Sequence, residues 1–162
     1  MDTSFTHDEW KKWTFKRGAE WTEWHALSPE VVEANVPTGP GVYVLGLGQR
    51  KRGVARLLGV DVHSVLDVGE SGALRRRLLT LHRCVSTPGQ TGHMAGWRLG
   101  TQGLLERMGV TVGQLRVSWC PVEDKRTAYG TEGQILQGYY HLFGELPPLN
   151  YKFNWATLEE DA

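Results

Sequence analysis

Short apolar runs along the chain predict three β-strands. Gly41 to Leu47 is an almost continuous apolar run, as expected of a buried strand. Ser64 to Gly69 is a second such run and ends on glycine, and Leu115 to Val122 is a third. We therefore expect a small sheet built from these three segments.

Helical patterns lie between and after these strands. We expect helices from about Gly72 to Arg83, with Ser71 as N-cap, from His93 to Met108, and from Lys125 to Phe143. Two prolines then prevent continuation of the last helix and leave Leu149 and Asn150 in an extended segment. Because strands and helices do not alternate strictly, the predicted fold is α+β, with a three-stranded, mostly antiparallel sheet flanked by helices.

The first 36 residues predict a tryptophan-rich helical extension packed on the main domain. Thr6 and Glu9 form a capping box, with Phe5 and Trp10 as its hydrophobic staple, and Ser28 followed by proline opens a second helix. The tryptophans of this segment either cover a small core or stack on bases. The expected organisation is therefore an extension over 1–36, a main domain over 37–155 and an acidic tail over 156–162.

One face of the predicted last helix combines a carboxylate with apolar residues. On a helical wheel, the apolar residues within about 60° of Glu132 are Ala128, Tyr129, Ile135, Leu136, Tyr139 and Phe143. Burial of an unpaired carboxylate costs several kcal/mol, so Glu132 requires a partner. That partner is a metal ion, an arginine or a retained proton.

The helix after the second strand supplies a candidate arginine. Its apolar stripe consists of Leu74, Leu78 and Leu81. Arg77 borders this stripe, whereas Arg76 points towards solvent. Arg77 is therefore expected to be half buried and aimed at a neighbouring strand, where it either covers apolar surface or pairs with an acid such as Glu132.

Composition describes an ordinary globular chain of 162 residues. The sequence has no apolar run long enough to span a membrane and no secretory signal at its start, which predicts a cytoplasmic protein without membrane association. Cys84 and Cys120 lack metal-type spacing and are expected to be reduced thiols.

The formal net charge is zero, which argues against indiscriminate binding of nucleic acid. However, the segment from Gly41 to Arg83 contains eight Lys and Arg residues against three acidic residues. This basic segment is either a solvated surface or a face for a polyanion. Within it, Arg50-Lys51-Arg52 is either a solvated loop or a set of phosphate contacts.

The first strand carries Gly41-Val42-Tyr43, the second carries Asp67-Val68-Gly69-Glu70-Ser71, and the following helix carries Leu74-x-x-Arg77. The order of these residues resembles that of the GIY-YIG nuclease family. Glu132 occupies the place of the family's metal-binding glutamate, and Asn150 matches an asparagine near the end of the family domain. The resemblance extends over about residues 37–150.

The resemblance implies hydrolysis of phosphodiester bonds in nucleic acid, DNA rather than RNA, with one Mg²⁺ or Mn²⁺ ion per site. Glu132 would bind the ion, Arg77 would contact phosphoryl oxygens, and Tyr43 would position or deprotonate the attacking water. Asn150 would support the site or contact phosphate. The candidate substrate-binding residues are Gly41, Gly69, Ser71, Asn150, Arg50 and Arg52.

Two positions depart from the family pattern. Asp67 stands where the family has a tyrosine, and it either joins the active site as a second carboxylate or lies at a sheet end. The family often has a histidine one turn after the arginine, but this chain has Leu81 there. His93 is then the candidate base or phosphate ligand, and its alternative role is that of a capping or surface histidine.

Two other functions are compatible with the sequence. One is a nucleic-acid-binding or regulatory module that retains the fold without catalysis. The other is a structural or protein-interaction domain that uses the tryptophan-rich segment as its contact surface. The oligomeric state, monomer or homodimer, is open, and a single site would cut both strands only as a dimer or by successive nicks.

Overall fold

A computed structural model describes residues 5–13, 20–48 and 53–152. Its helices are α1 (His7–Lys11), α2 (Pro29–Asn35), α3 (Leu74–Ser86), α4 (Met94–Gly100), α5 (Leu104–Arg107) and α6 (Lys125–Phe143). Its strands are β1 (His25–Ala26), β2 (Gly41–Leu47), β3 (Val54–Arg56), β4 (Gly59–Asp61), β5 (Val65–Ser71) and β6 (Leu115–Pro121). The candidate residues Arg50 and Arg52 and the acidic tail 156–162 lie outside the described residues.

The main sheet has the strand order β1-β6-β2-β5, and all its pairs are antiparallel. This confirms an α+β fold with a small antiparallel sheet flanked by helices. The predicted number of three strands is wrong, because β1 adds a fourth by pairing with β6. A separate hairpin of β3 and β4 was also not expected. Both additions are only two or three residues per strand, too short to produce an apolar pattern.

The two faces of the sheet pack on different helices. The side that carries Tyr43 and Leu45 packs on α2–α5, and we call it the α3 face. The opposite side carries Val42 and Val44, packs on α6 and the N-terminal tryptophans, and is the α6 face. Because β2 is covered on both sides, all seven of its residues are buried, as its continuous apolar run predicts.

A β-bulge in β5 determines which face each of its residues joins. Leu45 pairs with Asp67 and Gly46 with Val65, so Leu66 is an extra residue opposite β2. In a regular strand, residues 65 and 67 would lie on the same face. Here Val65 packs on the α6 face, whereas Asp67 reaches Tyr43 of the α3 face. Asp67 belongs to the regular part of this pairing, which puts its carboxylate on the α3 face, and the bulge puts Val65 on the opposite face.

Helices form where the sequence predicts them, although some of their boundaries differ from the predicted ones. The helix α6 has the predicted bounds. The helix predicted over 93–108 is instead two short helices, because Gly103 adopts a left-handed conformation (φ 71°) between them. Ser71 is not the N-cap of α3, since it ends β5 and that helix begins three residues later, at Leu74.

The N-terminal segment is tied to the main sheet by aromatic packing. The predicted capping box of Thr6 and Glu9 forms, and the rings of Phe5 and Trp10 stack with centroids 5.5 Å apart. Trp10, Trp13 and Trp21 are buried against the α6 face. Within the described part of this segment, these tryptophans therefore cover core rather than project into solvent.

Asp61 is a fully buried carboxylate that joins this segment to the rest of the fold. It accepts hydrogen bonds from Trp10 Nε1 (2.7 Å) and Tyr139 Oη (2.9 Å). It also accepts from the backbone N–H groups of His63 (3.0 Å) and Val65 (2.9 Å). These four donors come from α1, α6 and the chain entering β5, so one side chain fixes their relative positions.

Two expectations from composition can be compared with the fold. Cys84 and Cys120 are both buried and form no disulfide in this structure. Among residues 5–13, 20–48 and 53–152, every helix is too short or too polar to cross a lipid bilayer.

Replacement of Asp61 by alanine should destabilise the fold strongly. Asp61→Ala leaves two buried side-chain donors and two backbone donors without their acceptor, so we expect the free energy of unfolding to fall by about 3 kcal/mol or more. Urea denaturation followed by circular dichroism measures this change. Asp8→Ala removes an acid from the exposed face of α1 and serves as the control with little effect. Equal midpoints for Asp61→Ala and wild type would contradict the assigned role.

Candidate active site

A cleft of about 340 Å³ runs along the free edge of β5, and we call it the β5 cleft. Because β5 is the last strand of the sheet, side chains from helices on both faces reach this edge. The polar residues that line the cleft are Tyr43, Asp67, Glu70, Arg77, His93, Tyr129, Glu132, Asn150, Tyr151 and Lys152. The structure thus brings together every predicted catalytic residue and the predicted metal ligand.

The centre of the cleft is a chain of three buried polar side chains. Tyr43 Oη donates to Asp67 Oδ2 at 2.9 Å and lies 2.6 Å from His93 Nε2. His93 is the N-cap of α4, where its Nδ1 accepts the backbone N–H of Gly96 at 3.2 Å. Since Nδ1 is an acceptor, the neutral ring carries its proton on Nε2. The order of donation is therefore His93 to Tyr43 to Asp67.

Burial sets the protonation states in this chain. Burial raises the pKa of Asp67 to about 6, although the hydrogen bond from Tyr43 and the charges of Arg77 and Arg98 each lower it. Burial and the charge of Asp67 raise the pKa of Tyr43 well above its ordinary value. Burial and the charge of Arg77 lower the pKa of His93 to about 3. At neutral pH, Tyr43 keeps its proton, His93 is uncharged and Asp67 is the group poised to titrate.

Both candidate glycines are explained by close packing inside the protein. A Cβ on Gly69 would overlap the phenol of Tyr43, so glycine lets that ring lie across β5 and reach Asp67. A Cβ on Gly41 would lie 2.7 Å from Leu74 Cδ2 and 2.9 Å from the carbonyl oxygen of Cys120. Gly69 lines the cleft, whereas Gly41 packs against α3.

The structure places Arg77 half buried at the border of α3, as its wheel position predicts, and Arg76 in solvent. The Arg77 Nη1 group donates to the carbonyl oxygen of Gly92 at 2.8 Å, not to a strand. This single bond anchors the guanidinium at the mouth of the β5 cleft. The remaining N–H groups of a guanidinium can then face an anion in the cleft.

Glu132 lines the cleft from the side of α6, but it is half buried rather than buried. The buried face of α6 is formed by Ala128, Ile135, Leu136, Tyr139 and Phe143, as predicted. Tyr129, which the wheel also assigned to that face, is 41% exposed. Tyr129, Glu132 and Leu136 follow one another at helical spacing and line the cleft, so one stripe of α6 borders the cleft while the neighbouring stripe packs on the core. The half-buried carboxylate of Glu132 therefore faces the cleft.

Asn150 supports the edge of β5 with both ends of its amide. Its Oδ1 accepts the N–H of Val68 at 2.9 Å, and its Nδ2 donates to the carbonyl of Val68 at 2.9 Å. The preceding Leu149 donates its N–H to Leu66 O at 2.8 Å. These residues lie in a turn closed by Asn150 N–H and Pro147 O, not in the extended segment predicted. Asn150 therefore holds the strand that carries Asp67.

Hard oxygen donors of the β5 cleft are suitable for a magnesium ion. The part of the chain that the structure describes contains no group of three or more His, Cys, Asp or Glu side chains arranged to hold a metal. Magnesium does not need such a group, because it keeps several waters and uses one or two carboxylates together with substrate phosphate. Glu132 and Asp67 are carboxylates that line the cleft, and Glu70, which also lines it, forms an ion pair with Lys125 Nζ at 2.9 Å.

Two residues near the site were not found from the sequence. Arg98, on α4, lowers the pKa of Asp67 by its charge and donates weakly to Leu149 O at 3.4 Å. Lys152 lines the cleft close to Asn150. Neither occurs at a recognisable spacing, because tertiary packing alone brings them to the site.

Comparisons with protein-family models, with curated proteins and with solved structures gave no match. The functional assignment therefore depends on the residues of the cleft themselves.

The protonation state of His93 provides a direct test of the hydrogen-bonded chain. Because burial and Arg77 lower its pKa to about 3, His93 should stay neutral as the Nε2–H tautomer over the range of about pH 5 to 8. Long-range ¹H–¹⁵N correlation spectra of the imidazoles distinguish the tautomers and follow titration. A midpoint close to that of free histidine, or a proton on Nδ1, would show that the chain is assigned wrongly.

Proposed function

We propose that the protein is a divalent-metal-dependent endonuclease of the GIY-YIG type that hydrolyses phosphodiester bonds in DNA. The observation that carries this proposal is the convergence of Tyr43, Asp67, Arg77, His93 and Glu132 on one cleft. These residues come from five different elements or their caps, and the resemblance places four of their positions in the family's active site. A buried polar chain beside a half-buried arginine and an accessible carboxylate suits attack on a phosphate.

Asp67 is the proton acceptor in the proposed reaction. An attacking water beside Tyr43 Oη would pass its proton to that oxygen while the phenol proton moves to Asp67 Oδ2, 2.9 Å away. Tyr43 would thus remain neutral throughout, which suits its strongly raised pKa. His93 would hold the phenol in place by donating from Nε2. The aspartate that departs from the family pattern then supplies the base that a buried tyrosine cannot supply.

Arg77 and Glu132 act on the charge of the phosphate. The guanidinium of Arg77, anchored by Gly92, would donate to non-bridging oxygens as negative charge increases on them. Glu132 would hold the metal. A bound Mg²⁺ or Mn²⁺ would supply neutralisation of charge on the phosphoryl and leaving oxygens.

A binding or regulatory module without catalysis is the second candidate. It is favoured by the burial of Tyr43. This residue is only 1% exposed, and its hydroxyl already has two hydrogen-bond partners. In that case the three-residue chain is structural, and the cleft binds nucleic acid without cutting it. Failure of the folded protein to cleave under any divalent-metal condition would favour this candidate.

Removal of either charged group of the cleft should abolish cleavage. Glu132→Ala and Arg77→Ala should each lower the rate of plasmid nicking by about 100-fold or more in Mg²⁺ or Mn²⁺. The controls are Glu123→Ala and Arg107→Ala, which remove the same charges from exposed positions outside the cleft. Circular dichroism shows whether each variant is folded. Full activity in folded Glu132→Ala would eliminate the proposed metal site.

The pH dependence of cleavage should report the titration of Asp67. Because the carboxylate is the active form, the rate should rise with pH and level off above about 6. The charge of Arg98 lowers this pKa, so Arg98→Gln should move the rising limb to higher pH, whereas Arg107→Gln should not. Initial rates measured at saturating metal across the pH range give both profiles. Superimposable profiles for Arg98→Gln and wild type would rule out Asp67 as the titrating base.

A further inference from the structure

A second, basic groove adjoins the β5 cleft. It has a volume of about 710 Å³ and lies between the outer side of α3 and the loop that ends at Gly92. We call it the α3 groove, and its lining consists of Ser71, Gly72, Ala73, Arg76, Arg77, Thr80, Arg83 and Gly92. Arg77 lines both cavities, so the groove begins where the cleft ends.

The charges of the α3 groove are all of one sign. It contains three arginines and two hydroxyl residues, and its lining includes no acid. Among the described residues, no acidic side chain forms an ion pair with Arg76 or Arg83, and both are exposed. Three like charges on one wall, with no acid in the lining, favour an anionic ligand.

The side chains of the groove gather around Gly92. A Cβ on Gly92 would lie 3.3 Å from Thr80 Cγ2 and 3.9 Å from Arg83 Nη2. The carbonyl of the same residue accepts from Arg77. Its φ of 110° is one that side-chain-bearing residues rarely adopt, so glycine both permits this loop and leaves the groove open.

We propose that the α3 groove binds the sugar-phosphate backbone of the nucleic acid on one side of the phosphate held in the β5 cleft. This inference rests on the proposed function, since it takes that phosphate as its starting point. Arg76, Thr80 and Arg83 follow one another at helical spacing and lie on one side of α3. From Arg76 to Arg83 the helix rises about 10 Å, which equals about three base-pair steps along the axis of B-DNA. The groove therefore contacts phosphates, not bases, and makes binding salt-dependent rather than sequence-dependent.

The test measures binding apart from cleavage. Fluorescence anisotropy of a labelled duplex oligonucleotide, in EDTA to prevent cutting, gives the dissociation constant over a series of salt concentrations. Wild type is compared with Arg76→Ala, Arg83→Ala, the double alanine variant, the double lysine variant and Arg107→Ala as the control. Each lost phosphate contact should reduce the slope of log affinity against log salt by about 0.9, so the double alanine variant should lose about 1.8.

The outcomes separate this inference from the proposed function. The inference is supported when both single alanine variants lose slope and the double alanine variant loses about twice as much. The double lysine variant should restore the slope, and Arg107→Ala should match wild type. A double alanine variant with the wild-type slope overturns the proposal that the groove binds phosphates, whether or not the protein cleaves. If the wild type never cleaves but the alanine variants still lose slope, the phosphate contacts of the groove stand and the nuclease proposal is refuted.

Discussion

The buried carboxylate of Asp61 is the constraint on which the arrangement of the protein depends. A charge with no access to water must be saturated by donors, and Asp61 obtains them from α1, from the chain entering β5 and from Tyr139 of α6. Tyr139 lies two helical turns beyond Glu132 on the same helix. The bond between Asp61 and Tyr139 therefore helps to fix the position of α6 against the sheet, and so where Glu132 meets the cleft.

The opposite wall of the cleft depends on the pairing of β5 with β2. Regular pairing up to Leu45 and Asp67 puts Asp67 on the face of Tyr43, and the extra residue Leu66 then puts Val65 on the α6 face. In a regular strand, Val65 would lie on the same face as Asp67. The proposed base and the proposed metal ligand thus reach one cavity from opposite faces of the sheet, and an edge strand is the only place where that can occur.

Long periodic segments were predictable, and contacts between short ones were not. The bounds of α6 and the burial of β2 follow from local patterns strong enough to survive tertiary packing. The cleft residues could be predicted as a set because their order resembles a family motif. The half-burial of Glu132 could not, since a helical wheel assumes that the whole length of a helix faces a core. Asp61 and Arg98 were missed for a related reason: each acquires its partners from segments distant in sequence.

The amide of Asn150 has a consequence for association between molecules. β5 is the outermost strand of the main sheet, and an outermost strand presents unpaired N–H and carbonyl groups that can recruit a strand from another chain. By occupying both backbone groups of Val68, Asn150 imitates a neighbouring strand for one residue, and the N–H of Leu149 occupies the carbonyl of Leu66. A short turn thereby protects this edge against intermolecular β-pairing and aggregation, while the cleft beside it stays open to solvent.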